Sequence, residues 1–333
     1  MKPRIIAWSA PAPSGIPHEI VSMNLATGLL QTSVLAGGVP ALAALGEVLS
    51  ERVGVINLGV EGLMSMGAVT AVAMVIATSN PYLGFLAALG VGLATGMVFA
   101  WVTVSVRANQ VLCGLALTMI GTGLATAVGK PFSGTPMPAL FAPIPLPLLS
   151  RIPVVGEAVF SQNILVYLIY FILPAAIHFV FFHTRHGLNL RAVGENPAAA
   201  DAAGIPVQRL RFLYVSLGAA LASGAGAYLT LCFVPSWSEG VVAGRGWIAV
   251  ALVIFAGYRP INAVLAALLF GGITSVGFLG QARNWPVAPA VLSMLPYLGT
   301  LVLLIVPVVA SARIRRLMAA PAALGIPYFR DER

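Results

Sequence analysis

The chain is organised by long apolar runs, with no short alternation of apolar and polar positions. Apolar segments fall at 24–46, 58–78, 82–106, 110–130, 162–183, 211–234, 246–257, 261–280 and 290–310. Most are near the length, about 20 residues, at which a helix crosses a hydrocarbon layer of about 30 Å. A closed barrel would show segments of about ten residues alternating in polarity. These segments, rich in Ala, Leu and Gly, do not alternate. Backbone amides in lipid must be paired within their own segment, so helices are the remaining solution. The pattern predicts an all-α, polytopic membrane protein with eight to ten transmembrane helices. Two segments leave the count open: 246–257 is short for a crossing, and 24–46 contains Gly37, Gly38 and Pro40. One or both are expected to be broken or re-entrant. Gly84, Gly90, Gly92, Gly96, Gly218, Gly224 and Gly226 suit close helix packing.

Composition narrows the class. Of 333 residues, 59% are apolar and 8% charged, against about a quarter charged in soluble domains. The 18 Lys and Arg and 10 Asp and Glu are too few to form the charged shell of a soluble enzyme. The net charge of +8 fits basic cytoplasmic loops. With no basic face interleaved with aromatics, no nucleic-acid partner is expected. Cys113 and Cys232 lie inside apolar runs and read as packing residues. His183 and His186 lack a third ligand nearby. No metal or cofactor is therefore expected. Pro3, Pro11, Pro13 and Pro17 interrupt the N-terminal segment 1–23, so no cleaved signal peptide is expected.

Arginine placement predicts orientation. The stretches 47–57, 107–109, 184–210 and 259, with Arg211 and the tail 311–333, hold most of the arginines, whereas Lys130, Arg151, Arg245 and Arg283 fall on the opposite side. The first side reads as cytoplasmic. Nine crossings ending inside would put Lys2 and Arg4 outside, a conflict that an unusual first segment would resolve. The layout is thus an N-terminal segment 1–23, a transmembrane domain 24–310 and a cytoplasmic tail 311–333. The outer loop 131–161 is Pro-rich and expected to be stiff and partly extended, as a platform for a binding protein or as a spacer. The inner loop is 184–210.

Three constellations carry candidate function. The first is GEVLSERVGVINLGVEGLMSMGA (46–68), which sets Glu47, Glu51, Arg52, Asn57 and Glu61 among Gly54, Gly59, Gly62 and Gly67. Glycine weakens a helix by about 1 kcal/mol relative to Ala, so this stretch is poised to break. A break at membrane depth is tolerated only against protein or a water-filled path. Asn57 is expected to cap the restarted helix, sharing a face with Glu61 four residues on. Glu61 then lines or braces a translocation path, with Gly59 and Gly62 beside it. Alternatively it pairs structurally with an Arg such as Arg52.

The second is HGLNLRAVGENPAAADAAGIPVQRLR (186–211). After Glu195, Asn196 suits an N-cap and Pro197 the first helical turn. An Ala-rich helix over 197–203, including Ala199, Ala200 and Asp201, is expected to end at Gly204, with Pro206 blocking continuation. So short a helix is marginal alone in water and is better explained if something docks on it. The third is PSWSEGVVAGRGWIAVALVIFAG (235–257). Gly244, Arg245 and Gly246 mark a second helix break, expected to face the first and to border the same path. The alternative is an interfacial aromatic belt at Trp237 and Trp247 with a surface Glu239–Arg245 pair; the belt is expected for Trp237 and the path for the break at Gly244–Trp247.

The run Ala-Ala-Asp-Ala-Ala-Gly-Ile (199–205) between two spans resembles the coupling loop of ABC importer permeases. SERVGVINLGVEGLMSMGA (50–68), AGRGWIAVALVIFAGYRPINAVLAALLFGG (243–272) and ALGIPYFRDER (323–333) resemble the branched-chain amino acid, ribose and nucleoside permease family. They look most like the smaller of two paired permeases in nucleoside importers. The resemblance implies a second homologous permease, a cytoplasmic ABC ATPase and an extracytoplasmic solute-binding protein or lipoprotein, in a bacterial inner membrane. It also implies that residues 195–204 couple to the ATPase. The residues agree in one respect: the chain has no Gly-rich loop ending Gly-Lys-Ser/Thr, so energy must come from another subunit. The expected function is inward movement of a nucleoside or related polar solute by alternating access, with no covalent chemistry. A sugar or branched-chain amino acid is the alternative solute. An ion-coupled transporter would need paired carboxylates at mid-span, for which Glu61 is the candidate.

Overall fold

The computed structural model describes residues 18–309 and 318–329. Lys2, Arg4, Arg313, Arg315, Arg316, Arg330 and Arg333 lie outside the described residues.

All the regular structure described is helical. In chain order the α-helices are α1 (His18–Arg52), α2 (Val60–Thr78), α3 (Pro81–Ala100), α4 (Gln110–Gly129), α5 (Val155–Phe160), α6 (Ile164–Tyr167), α7 (Leu173–His183), α8 (Arg185–Glu195), α9 (Pro197–Ala202), α10 (Val207–Tyr228), α11 (Arg245–Phe255), α12 (Pro260–Ala282) and α13 (Pro289–Val309). Wider π turns extend α3 and α10, and one over Leu168–Ile172 fuses α6 to α7. Pro174 follows that turn and lacks the amide a regular α-helix would use there. Among the described residues seven helices are long and apolar enough to cross a membrane, while α11 and the described apolar part of α13 are shorter.

The starts obey local chemistry. Asn80, Asn109, Asn163, Thr184 and Asn196 each accept amide hydrogens of the following turn through a side-chain oxygen, satisfying donors that a helix leaves unpaired.

The helices α1 and α10 form the buried centre, ringed by α2, α3, α11 and α12, with α4 outermost. The expected interruption at Gly37, Gly38 and Pro40 is absent: α1 runs unbroken through all three. Those glycines serve contact. Gly37 lies against the Ala267 carbonyl and the Tyr170 hydroxyl, and Gly38 against the Tyr228 ring. Nor is 47–57 a loop throughout, because α1 continues to Arg52 and buries Glu47 and Glu51. Gly218 meets Gly46, and Gly226 meets the Met64 carbonyl, as close packing requires; Gly90 instead faces open space. Residues 131–161 are largely irregular, with 3-10 turns at Lys130–Phe132 and Leu149–Arg151 before α5 packs on α1.

Candidate functional site

Residues 53–59 form a short non-helical link between α1 and α2, each of which is long enough to be a span. Gly54, at φ +87°, turns the chain out of α1, a conformation costly for a side chain with a Cβ. Residues 55–57 are then irregular and 58–59 turn before α2 starts at Val60. Asn57 is not the N-cap of α2; Gly59 holds that position. Asn57 is fully buried, and its Oδ1 accepts the Gly59 amide at 3.0 Å. It therefore shapes the turn before the helix and shares no helical face with Glu61. The link is satisfied from α4: the Ile56 amide donates to Gln110 Oε1 at 2.8 Å, and the Thr118 hydroxyl to the Leu58 carbonyl at 2.8 Å. A backbone this far inside a bundle needs such partners.

Glu61 lies in the first turn of α2 and is 8% exposed. Its Oε1 accepts the Gly244 amide at 2.6 Å and its Oε2 the Gly246 amide at 2.8 Å. Both amides belong to the N-terminal end of α11, where unpaired N–H groups and the helix dipole favour an anion. The 53–59 link and the start of α11 therefore meet. The contact is close because Gly246 has no side chain: a Cβ there would lie 2.7 Å from the Glu61 backbone nitrogen. Gly62 likewise admits the Leu117–Thr118 backbone of α4, and Gly59 admits Leu117.

Arg52 is not the partner of Glu61. Its Nε donates to the Tyr258 carbonyl at 2.7 Å and its Nη2 to the Gly257 carbonyl at 3.3 Å, just past the C-terminal end of α11. Arg52 and Glu61, on either side of the link, thus hold opposite ends of one short helix. Each complements the dipole charge of the end it holds.

A cavity of about 570 Å³ opens above Glu61, lined by Ser65, Thr122, Thr126, Trp237 and Glu239 among others. Of the six path residues expected from sequence, Glu61 alone lines it; Asn57, Gly59, Gly62 and Gly246 support it from behind. Arg245 bonds the Val241 and Val242 carbonyls and lines a separate cavity of about 210 Å³ against α12 and α13. Trp237 departs from the expected belt. It is 3% exposed and packs against Gly129 beside Ala68, Val69, Val72 and Ala125. The sequence reading also missed Gln110 and the threonines of α4. The four-residue recurrence of Thr118, Thr122 and Thr126 marks one helical face and was the available signal.

The second constellation folds as its caps predict. Asn196 Oδ1 accepts the Ala199 amide at 3.0 Å, Pro197 opens α9, and Gly204 takes φ +82° after it. Ala198, Ala199, Ala202 and Ala203 are exposed, while Ala200 is buried against the bundle. Glu195 Oε2 accepts the Ala322 amide at 3.2 Å, and Asp201 Oδ2 accepts the Tyr328 hydroxyl at 3.0 Å.

Residues 28–310 match the family described as branched-chain amino acid transport system permease component. A putative glucose ABC transporter permease protein of Haloferax volcanii is 38% identical over 330 residues, spanning 93% of this chain and 99% of that relative. A guanosine ABC transporter permease protein of Bacillus subtilis is 32% identical, spanning 88% and 93%. A nucleoside ABC transporter permease protein of Lactococcus lactis is 33% identical, spanning 87% and 92%. No solved structure gives a significant match.

Proposed function

We propose a function for this chain from one premise: it belongs to the branched-chain amino acid transport system permease family. It is a multi-pass membrane subunit of an ABC importer, a transport component and not the ATPase. Its solute is a nucleoside or a closely related polar molecule, taken inward across a bacterial inner membrane.

The observation that carries this reading is the cavity over Glu61. Its lining mixes hydrogen-bonding groups (Glu61, Ser65, Thr122, Thr126, Glu239) with apolar ones (Met119, Ala125, Trp237, Val241), which suits a solute that carries both polar groups and a flat apolar face, as a nucleoside does. Two relatives named for guanosine and nucleoside transport favour a nucleoside. The relative named for glucose supports a simple sugar as the second reading.

The cavity is bordered by α4, whose Met119, Ile120 and Leu124 are exposed. The hydrogen-bonding groups of this cavity would be costly to open to hydrocarbon, so a second homologous permease covers this side and the path runs between the two chains. A cytoplasmic ABC ATPase grips α9, and an extracytoplasmic solute-binding protein or lipoprotein delivers solute to the far end. When ATP closes the cassettes, α9 is displaced, and with it α8 and α10 at its two ends. A rigid-body shift of this kind tilts packed helices and changes which side of the path is open.

The test is uptake by the assembled importer in vesicles, with labelled guanosine, glucose and leucine offered in turn. ATP-dependent guanosine uptake is expected. Uptake retained after removal of the ATPase would replace this reading with ion coupling. Preference for glucose or leucine would replace the solute.

A further inference from the structure

The C-terminal segment 318–329 contains no helix, yet it is tied down along its length. The Ala322 amide donates to Glu195 Oε2 at 3.2 Å, the Ala323 amide to the Gly194 carbonyl at 2.9 Å, and the Gly325 amide to the Gly54 carbonyl at 3.2 Å. Arg211 Nη1 donates to the Ile326 carbonyl at 3.2 Å, and the Tyr328 hydroxyl to Asp201 Oδ2 at 3.0 Å. The Arg107 guanidinium lies 4.9 Å from the Phe329 ring centre.

These anchors belong to two groups. Gly194, Glu195 and Asp201 sit on α8 and α9, whereas Gly54 sits in the α1–α2 link. Arg211, on α10, ties the tail to the second group, since its Nε also donates to the Val53 carbonyl at 3.0 Å; the tail itself is what links the two groups. The segment is fitted to this course: Gly325 takes φ +80°, and Pro321 and Ala323 are buried. Ordering a backbone costs about 1–2 kcal/mol per residue, so a tail without these contacts would not hold one path. Tyr328 and Asp201 also border a cavity of about 500 Å³ with Gly204, Gln208 and Arg209. A group entering there touches the α9 loop and the tail together.

We propose that residues 321–328 are a coupling strap that carries displacement of α9 to the 53–59 link, and so to the Glu61–α11 junction, with Tyr328 as its positioning residue. The proposal rests on the reading that an ATPase acts on α9. The route is physically continuous: from Asp201 to Tyr328, along the backbone to Ile326 and Gly325, and across to Arg211 and Gly54. Five residues beyond Gly54, Gly59 opens the helix whose first turn holds Glu61.

A strap is distinguished from an inert anchor by slack. One variant inserts Gly-Ser-Gly between Ile326 and Pro327, lengthening the connection between the Arg211 and Asp201 anchors while leaving both in place. A second, Tyr328→Phe, removes the hydroxyl and keeps the ring, and serves if the insertion does not assemble. Each is reconstituted as the full importer with its ATPase, and guanosine uptake and ATP hydrolysis are measured on the same vesicles. The insertion is expected to lower uptake per ATP hydrolysed by about fivefold or more, in the range of ordinary coupling energies, with a smaller drop for Tyr328→Phe. Unchanged uptake per ATP in the assembled variants overturns the strap. So does a fall of uptake and hydrolysis together, in proportion to ATPase lost on purification. An unmodified importer that transports without ATP would instead overturn the proposed function, so the two failures are separable.

Discussion

Glu61 binds Gly246 across 185 positions of sequence, its Oε2 accepting the glycine amide at 2.8 Å while Oε1 takes the Gly244 amide. This junction closes α11 onto α2 and forms the floor of the cavity above Glu61. The Gly246 amide is buried and the Gly244 amide half-buried, and the carboxylate is the acceptor for both.

Glu61→Ala is expected to leave both amides unpaired, at about 1–3 kcal/mol each. Thermal unfolding in detergent should show a clear fall in midpoint, and guanosine uptake should be lost. Glu61→Gln keeps one acceptor oxygen and should fall between Ala and the parent. An Ala variant as stable as the parent would show that the junction contributes nothing.

Gly246→Ala tests the same contact from the other side. The added methyl would meet Glu61 backbone atoms at 2.7 and 2.8 Å, and backbone does not rotate aside as a side chain does. Overpacking of this kind costs about 1–3 kcal/mol. Unfolding midpoint and uptake are expected to fall together.

At Gly204 the constraint is conformational, because a Cβ there meets open space while φ is +82°. Gly204→Asn, a residue that tolerates the left-handed region, is expected to keep uptake near the parent level. Gly204→Val is expected to disturb the end of α9 and uncouple hydrolysis from uptake. Equal uptake by the two variants would remove the coupling role of this turn.

Glu47 and Glu51 are buried one helical turn apart in α1. Like charges at this spacing oppose each other, and the cost grows away from water. Glu47→Gln preserves shape and cannot ionise, which removes the conflict, so the unfolding midpoint should be unchanged or higher. A fall of several degrees would show that the carboxylate has a required partner.

Much of this protein was legible as sequence. Apolar runs of membrane length dictated the helices, because an unpaired amide in lipid is too costly for other backbones. Asn196, Pro197 and Gly204 marked α9, because capping is settled within a turn of chain. Gly54 and Gly244, both at positive φ, marked where α1 is left and where α11 starts for the same local reason. The tertiary structure decided that the 53–59 link and the start of α11 meet, that Arg52 holds the far end of α11, that Trp237 is buried, and that Gln110 and Thr118 pair with the backbone of that link. Segments such as α2 and α3 are apolar on every face, so their pattern carries no direction. Where each face points is set by contacts between residues far apart in the chain, and those exist only once the helices have packed.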